Sequence, residues 1–194
     1  YIFGVTAINS EGESDYARAG IVLGKPYTLP FVEPFAASGL KYSPWIIDQG
    51  WMVDQGFYND NIKPENDDDL QFVFINQGTD SACGKIYSPI IDFSKAKSPV
   101  LSAWIHHSEA MPKEAYVKAV ASIDGSKNCI DLSEPIAIDG NSGWTEHVFD
   151  LSTLNGKKAQ IALEAYLPTP SNRIFTDDWT IKEATGNDLA IAAI

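Results

Sequence analysis

The chain has 194 residues, of which 44% are hydrophobic and 21% charged, and this composition is sufficient for a folded core. Its formal net charge of -12 argues against nucleic acid as a partner, because phosphate backbones attract Lys and Arg. No apolar run approaches the roughly 20 residues of a membrane-spanning helix, so we expect no membrane insertion of this segment. A cation or a neutral ligand is compatible with the acidic balance.

The first element in chain order is a predicted β-hairpin. "YIFGVTAIN" alternates between two faces, "SEGESD" predicts a turn, and "YARAGIVLG" predicts the returning strand. The Pro-containing linker "GKPYTLP" separates this hairpin from the rest of the chain. Because a lone two-stranded hairpin is marginal in water, we interpret residues 1–26 as the end of a preceding domain. We therefore expect the chain to be a piece of a longer protein.

The middle of the chain predicts strands almost throughout. The candidates are "LQFVFI", "IYSPIIDF", "VLSAWIHH", "AYVKAVASID", "WTEHVFDL", "AQIALEAYL" and "FTDDWTIKEA". In "AQIALEAYL" a period of two places the following residues on one face: Ala159, Ile161, Leu163, Ala165 and Leu167. Only "FSKAKS" or "SEAMPKEA" has room for a helical turn. Many short strands separated by Gly, Pro, Asn and Asp predict an all-β antiparallel sandwich or barrel.

The end of the chain and its two cysteines bear on its organisation. "ATGNDLAIAAI" is a Gly-Asn break followed by a new apolar strand, so we predict that residues 187–194 begin a following domain. Residues 27–186 then form the central domain. Cys83 and Cys129 could form one disulfide in an oxidising compartment or remain buried thiols, and two cysteines do not decide the location.

The opening segment resembles a known family. "YIFGVTAINSEGESDYA" is similar to the last two strands of a fibronectin type III domain. The matching positions are Tyr1, Val5, Ala7, Asn9, Gly12 and Ser14. The resemblance implies that residues 1–26 are the C-terminal hairpin of such a domain, in which the tyrosine packs at a corner and has a structural role.

The central segment resembles a second family. The segments concerned are "PFVEPFA", "GKIYSPIIDFSKAKSPVLSAWIHH", "GWTEHVFDLS", "KAQIALEAY" and "IFTDDWTIKE". They are similar to MAM domains and to cleaved-adhesin modules of secreted, Bacteroidetes-like bacterial surface proteins. This implies a two-sheet antiparallel jelly roll, concanavalin-like or galactose-binding-like, with partial β domains on either side. The tail "NDLAIAAI" is similar to the immunoglobulin-like modules that follow in such proteins.

The sequence offers little that predicts catalysis. It contains no Gly-rich phosphate loop, no His-Glu-x-x-His helix and no Gly-x-Ser-x-Gly elbow. His106 and His107 are neighbours in a predicted strand, so they point to opposite faces and cannot jointly bind a metal. Glu65, Asp67 and Asp69 alternate like the carboxylates of jelly-roll glucanases, but their run lacks β-formers. We interpret it as an exposed acidic loop and expect no catalytic residues.

A structural calcium ion is predicted between the two ends of the central domain. Glu33 lies among aromatic residues, where a buried carboxylate without a partner is costly, and calcium binds about six to eight oxygen ligands. In the resembling families the first and last strands lie side by side, which brings "FVEPF" against "TDDWTI". A glutamate near the first strand and an aspartate of the last strand bind calcium there, which implies Glu33 and Asp178. The chain lacks the adhesin Asp-x-Asp-Gly-Asp loop and offers only Asp48 and Asp54 there. The alternative is that Glu33 reaches solvent or binds backbone amides.

The tryptophans suggest where a ligand binds. Trp104, Trp144 and Trp179 lie in predicted strands and are interpreted as packing residues. Trp45 and Trp51 lie in a turn-rich segment, where they either stack on a sugar ring or cover the core.

These observations lead to a functional expectation. We expect a non-catalytic cell-adhesion module of a secreted or cell-surface bacterial protein, whose partner is a host or bacterial surface glycan or protein. The alternative is a carbohydrate-binding module attached to a hydrolase, in which Trp45 or Trp51 provides the affinity. Aromatic residues along one exposed face would favour the second interpretation.

Overall fold

The structure is a computed structural model and describes residues 2–5, 8–9, 12–13, 17–20, 25–36, 39–54, 71–75, 80–107, 112–123, 128–137, 143–170 and 173–185. Its strands are Ile2–Val5 (β1), Ile8–Asn9 (β2), Gly12–Glu13 (β3), Ala17–Gly20 (β4), Tyr27–Thr28 (β5), Phe31–Glu33 (β6), Ile46–Ile47 (β7), Trp51–Asp54 (β8), Gln71–Ile75 (β9), Ala82–Tyr87 (β10), Ile91–Asp92 (β11), Pro99–His107 (β12), Tyr116–Ile123 (β13), Cys129–Asp131 (β14), Ile136–Ala137 (β15), Thr145–Asp150 (β16), Lys158–Leu167 (β17) and Arg173–Glu183 (β18). These ranges contain no α-helix. A 3-10 turn lies at Ser152–Leu154, outside the two segments where we expected a helical turn.

The first four strands form a hairpin. β1 pairs antiparallel with β4, and β2 pairs with β3 near the turn. Within the described residues, none of these strands pairs with a strand of the two larger sheets. The predicted hairpin is thereby confirmed. Its assignment to a fibronectin type III domain and the boundaries 1–26, 27–186 and 187–194 stay predictions, and residues 186–194 lie outside the described ranges.

The other strands form two sheets. Sheet I has the order β14-β13-β17-β10-β7, with β15 beside β13, β11 beside β17 and β5 beside β11. Sheet II has the order β16-β12-β18-β9-β8, with β6 also beside β18. Among the described strands, every pairing is antiparallel except the one between β5 and β11. This confirms the predicted all-β antiparallel sandwich, and the pairing of β6 with β18 confirms that "FVEPF" lies against "TDDWTI".

The core lies between the two sheets and is filled by alternate residues of each strand. In β17 the five residues of the predicted apolar face, from Ala159 to Leu167, all belong to this core. Sheet II contributes large aromatic side chains that are fully buried, among them Phe31, Phe72 and Trp179. Burying a large apolar side chain contributes roughly 1.5–3 kcal/mol relative to leaving it exposed, so this aromatic layer is a major source of stability.

A β-bulge interrupts the alternation in β18. Asp178 and Trp179 together lie opposite the single residue Ala103 of β12. Asp178 has a φ of 45°, in the left-handed region that Asp adopts more readily than most residues. Because of the extra residue, the next side chain after Thr176 that points into the core is that of Trp179, which is fully buried. With a strict period of two, the side chain of Asp178 would have pointed into the core instead.

Candidate functional site

Three neighbouring strands of sheet I each carry a tyrosine and a charged residue, two positions apart, on the face that points away from the core. We call this set the tyrosine face. Its members are Lys85 and Tyr87 of β10, Tyr116 and Lys118 of β13, and Glu164 and Tyr166 of β17. The residues between them in sequence, Ile86, Val117 and Ala165, belong to the core. The period of two therefore forces each polar pair outward.

The strand register aligns these side chains in rows. Glu164 lies opposite Lys85 on one side and Lys118 on the other. In the adjacent row, Tyr166 lies opposite Tyr116, and their rings stack with centroids 5.3 Å apart and an interplanar angle of 21°. Directly opposed residues are close enough to interact across strands. The register thus places an ionic row beside an aromatic pair.

Glu164 is the centre of the ionic row. Its carboxylate accepts hydrogen bonds from Lys85 Nζ at 2.8 Å and Tyr116 OH at 3.0 Å, and Lys118 Nζ lies 3.3 Å away. Lys118 also donates to Asp131 at 2.9 Å. The Glu164 side chain is only 11% exposed, and the two lysine side chains are 24% and 17% exposed. Ion pairs shielded in this way are screened less by water and salt than pairs on an open surface.

The environment fixes the protonation states of the face. Burial acts to raise the pKa of Glu164. The hydrogen bond and the charge of Lys85, the hydrogen bond of Tyr116 and the charge of Lys118 act in the opposite direction, and together they hold the pKa of Glu164 below its ordinary value. The hydrogen bond to Asp131 raises the pKa of Lys118. Burial, followed by the contact with Glu164, raises the pKa of Tyr116 to about 12. At neutral pH the ionic row therefore contains one carboxylate and two ammonium groups, and the Tyr116 phenol that donates to it is protonated.

Tyr87 extends across the face. Its hydroxyl lies 3.6 Å from Cys129 Sγ, although β17 and β13 separate the two strands. Tyr87 therefore reaches across the face from β10 towards β14. Burial, followed by the hydrogen bond with Cys129, raises the pKa of Tyr87 above its ordinary value. Cys83 and Cys129 are both free in this structure, and burial raises the pKa of the Cys83 thiol, which makes it a weak nucleophile.

Glu33, the first predicted calcium ligand, is bound by N–H groups. Its side chain is fully buried in β6. The carboxylate accepts hydrogen bonds from the backbone amides of Phe35, Lys41 and Tyr42 at 3.3, 3.0 and 2.9 Å, and from Trp45 Nε1 at 3.4 Å. Four donors provide the compensation that a buried carboxylate requires. Glu33 thus fastens these four residues onto β6.

Asp178, the second predicted calcium ligand, lies in the β18 bulge next to Trp179, the cross-strand partner of Glu33. Among the described residues, no group of three or more His, Cys, Asp or Glu side chains is placed to hold a metal ion. The N–H groups around Glu33 point at the oxygens that calcium would use, so these residues do not fit a calcium ion well. Calcium binding by Glu33 and Asp178 stays an expectation of the family resemblance alone, which the contacts of Glu33 do not support.

The two tryptophans proposed for sugar stacking contact the core. Trp51 is 4% exposed, and its Nε1 donates to the Gly84 carbonyl at 3.1 Å. Trp45 is half-buried and lies within 5.3 Å of Phe35 and 5.2 Å of Trp179, measured between ring centroids. These contacts correspond to the interpretation in which the tryptophans cover the core. Sugar stacking by Trp45 and Trp51 stays a prediction.

His106 packs among aromatic residues. His106 packs edge-on against Trp144 and Phe175, with centroids 5.4 and 5.9 Å away, on the outer side of sheet II. The alternating carboxylates Glu65, Asp67 and Asp69 lie outside the described residues.

The sequence interpretation missed the tyrosine face, although a signal for it was present. "KIY", "YVK" and "EAY" each place a tyrosine and a charged residue on one side of a strand. In "AQIALEAYL" we considered only the apolar face. Reading the opposite face of each strand would have found all six residues, but not that the three strands are neighbours.

Comparison with known proteins agrees with the sandwich. No protein-family model matches the chain, and no characterised protein matches it in sequence. Among solved structures, a cleaved adhesin domain (K2) of Lys-gingipain from Porphyromonas gingivalis aligns with a TM-score of 0.57 and 17% identity, over 78% of this chain and 98% of that one. A structure of carbohydrate-binding modules from the β-sandwich superfamily aligns with a TM-score of 0.56 and 10% identity, over 94% of this chain and 74% of that one.

A third similar structure is the module TmCBM61 in complex with β-1,4-galactotriose, with a TM-score of 0.52 and 13% identity, over 73% of this chain and 90% of that one. The described part of the chain includes no helix with the length and apolar character needed to cross a bilayer. At these identities the comparisons establish the fold. The chain is a β-sandwich of the kind found in carbohydrate-binding modules and in cleaved adhesin domains.

Proposed function

We propose that the central domain is a non-catalytic module that binds a glycan through the tyrosine face, and that it serves adhesion in a secreted or cell-surface protein. One observation carries this proposal. Three adjacent strands present stacked tyrosine rings, Tyr116 and Tyr166, beside a row of ionised groups centred on Glu164. The partner is a glycan of a host or bacterial surface.

The chemistry of the face suits a sugar. A sugar ring has an apolar C–H side that packs on an aromatic ring and an edge of hydroxyls that requires hydrogen-bond partners. Tyr116 and Tyr166 supply the aromatic surface, and the ionic row supplies donors and acceptors. The groups stand on paired strands and are held by their mutual contacts, so a ligand orders few side chains on binding.

The similar structures are compatible with this proposal. One is a carbohydrate-binding module in complex with a galactotriose, and another is a cleaved adhesin domain. Their identity to this chain is too low to transfer a ligand. The proposal therefore depends on the residues of the face itself.

The test is a glycan-array screen of the 194-residue chain with variants of the aromatic pair. Tyr116→Ala and Tyr166→Ala should each weaken binding about ten-fold, because a lost aromatic stacking contact contributes on the order of 1 kcal/mol. Tyr166→Phe keeps the ring and should retain most of the affinity. Trp45→Phe should leave binding unchanged.

Three outcomes separate the alternatives. No binding to any glycan contradicts the proposal. Binding that is lost in Trp45→Phe but kept in Tyr116→Ala moves the site to the tryptophans. Binding to plant or storage polysaccharides, with none to cell-surface glycans, favours a module that targets an attached hydrolase over one that serves adhesion.

A further inference from the structure

The polar atoms of the tyrosine face offer more donors than acceptors. Lys85 has three N–H donors, and Glu164 is its one hydrogen-bond partner within the described residues. Lys118 also has three, shared between Glu164 and Asp131. The Glu164 carboxylate already receives three contacts out of about four lone-pair sites. A ligand at this face therefore meets ammonium groups that can donate further hydrogen bonds. The Glu164 carboxylate, in contrast, can accept few more.

The charges of the face differ from those of the chain as a whole. Around Glu164 stand two ammonium groups, Lys85 and Lys118, in a chain whose formal net charge is -12. Asp131 pairs with Lys118 from the rim, with its side chain 65% exposed, and the charge of Asp48 acts on Tyr87. The ammonium groups are thus balanced by carboxylates, and what distinguishes the face is the unused donors of Lys85, whose one partner within the described residues is Glu164.

We propose that the glycan bound here carries a carboxylate, as in a uronic acid or another acidic sugar, and that Lys85 binds that carboxylate. This rests on the proposed function and names its ligand class. Lys118, which has two carboxylate partners already, contributes less. The proposal revises the expectation of a neutral or cationic ligand that net charge alone suggested.

The geometry accommodates both contacts at once. Along β17, the positions of Glu164 and Tyr166 are about 7 Å apart, since two residues of a strand span about that distance. One sugar ring can therefore stack on the outer face of the Tyr116–Tyr166 pair, whose inner faces cover each other, while its own carboxylate, or that of the next sugar, reaches Lys85. The overall negative charge disfavours a dense polyanion, because repeated carboxylates would be repelled by the rest of the protein. The ligand class is a glycan with isolated acidic sugars.

The experiment is an array on which each acidic oligosaccharide is paired with its carboxyl-reduced counterpart, probed with the whole chain. We expect binding to the acidic members, a loss of about ten-fold or more on carboxyl reduction, and weaker binding as salt is raised. Equal binding to reduced and acidic members overturns the acidic-ligand proposal and leaves glycan binding intact. No binding to either overturns the proposed function itself.

Variants assign the contact to Lys85. Lys85→Met should reduce binding to the acidic glycans about ten-fold, and Lys85→Arg should largely restore it. Lys85→Met leaves the Glu164 carboxylate with one charged partner fewer. The double variant Lys85→Gln, Glu164→Gln removes one positive and one negative charge, so the net charge of the face is unchanged, and it should lose binding equally. Lys113→Met, an exposed lysine in a turn before β13, is the matched control. Undiminished binding in the double variant overturns the assignment.

Discussion

Glu33 and Glu164 are both largely buried glutamates on paired strands of one sandwich, but their partners differ in kind. Glu33 is fully buried and accepts hydrogen bonds from neutral donors, three of them backbone amides of one segment. The Glu164 side chain is 11% exposed and is surrounded by two ammonium groups and a phenol. The first carboxylate is enclosed in the core, and the second faces outward.

The difference separates a structural carboxylate from one suited to binding. Backbone amides are fixed by the chain that carries them, so the bonds of Glu33 hold a segment in place and cannot be offered to a ligand. Lysine side chains are flexible and keep further donors, so the partners of Glu164 can bind an arriving group without losing the first contact. The type of donor, more than the degree of burial, distinguishes the two sites.

The largest expected effect is on stability when Glu33 is changed. Glu33→Gln replaces one acceptor oxygen by an NH₂ group that faces N–H donors, and it removes the charge that strengthens the remaining bonds. We expect a loss of about 3 kcal/mol in the free energy of unfolding, as for other buried, hydrogen-bonded charged groups. Urea unfolding followed by tryptophan fluorescence measures it.

Glu183 supplies the control for that substitution. It also accepts from backbone amides, those of Lys97 and Ser98, but it is exposed. Glu183→Gln should cost about 1 kcal/mol, because solvent replaces part of the lost bonding. If Glu33→Gln costs no more than Glu183→Gln, the enclosed carboxylate is not the structural element inferred from its contacts.

A smaller loss is expected at the centre of the tyrosine face. Glu164→Gln removes the shared partner of Lys85 and Lys118, but both ammonium groups are partly exposed and can turn to solvent. We expect a cost of about 1 kcal/mol, near the upper end for surface ion pairs. The same denaturation experiment measures it, and a cost equal to that of Glu33→Gln would remove the distinction between the two carboxylates.

The pH dependence of that cost follows from the lowered pKa of Glu164. The pKa of the Glu164 carboxyl in the folded protein lies below its ordinary value of 4.5. At a pH above 4.5 the carboxylate therefore contributes its full stabilisation, and this contribution is lost as the pH falls through the lowered pKa of the folded state. The difference in stability between the wild type and Glu164→Gln should thus be constant near neutrality and shrink in acid. Unfolding curves at a series of pH values test this, and a difference that grows in acid contradicts it.

The smallest expected effect concerns calcium. Because N–H donors already bind the Glu33 carboxylate, we expect the unfolding midpoint to be the same in calcium and in chelator. Thermal unfolding under both conditions, with Asp178→Asn alongside, provides the measurement. A midpoint raised by calcium in the wild type and not in Asp178→Asn would establish the metal site that the family resemblance implies.

The strands were predictable because their signal is local. Alternation in "AQIALEAYL" depends only on the two-residue period of an extended chain facing a core on one side, and the structure confirms it. The pairing of β6 with β18 followed from family resemblance, since no local pattern connects residues about 150 positions apart. The tyrosine face needed both kinds of information. Its residue pairs are visible in the sequence, but the adjacency of β10, β17 and β13 is a property of the assembled sheet.

The sequence by itself determined an all-β chain with an apolar and a polar side to most strands, because side-chain alternation and turn residues act over a few positions. Only the tertiary structure decided what surrounds Glu33 and which side of β18 faces inward. The donors to Glu33 come from a loop up to 12 residues away, whose path no periodicity predicts. The bulge at Asp178 inserts one residue into the alternation, which places Trp179 in the core because the opposing strand, not the local sequence, sets the register there.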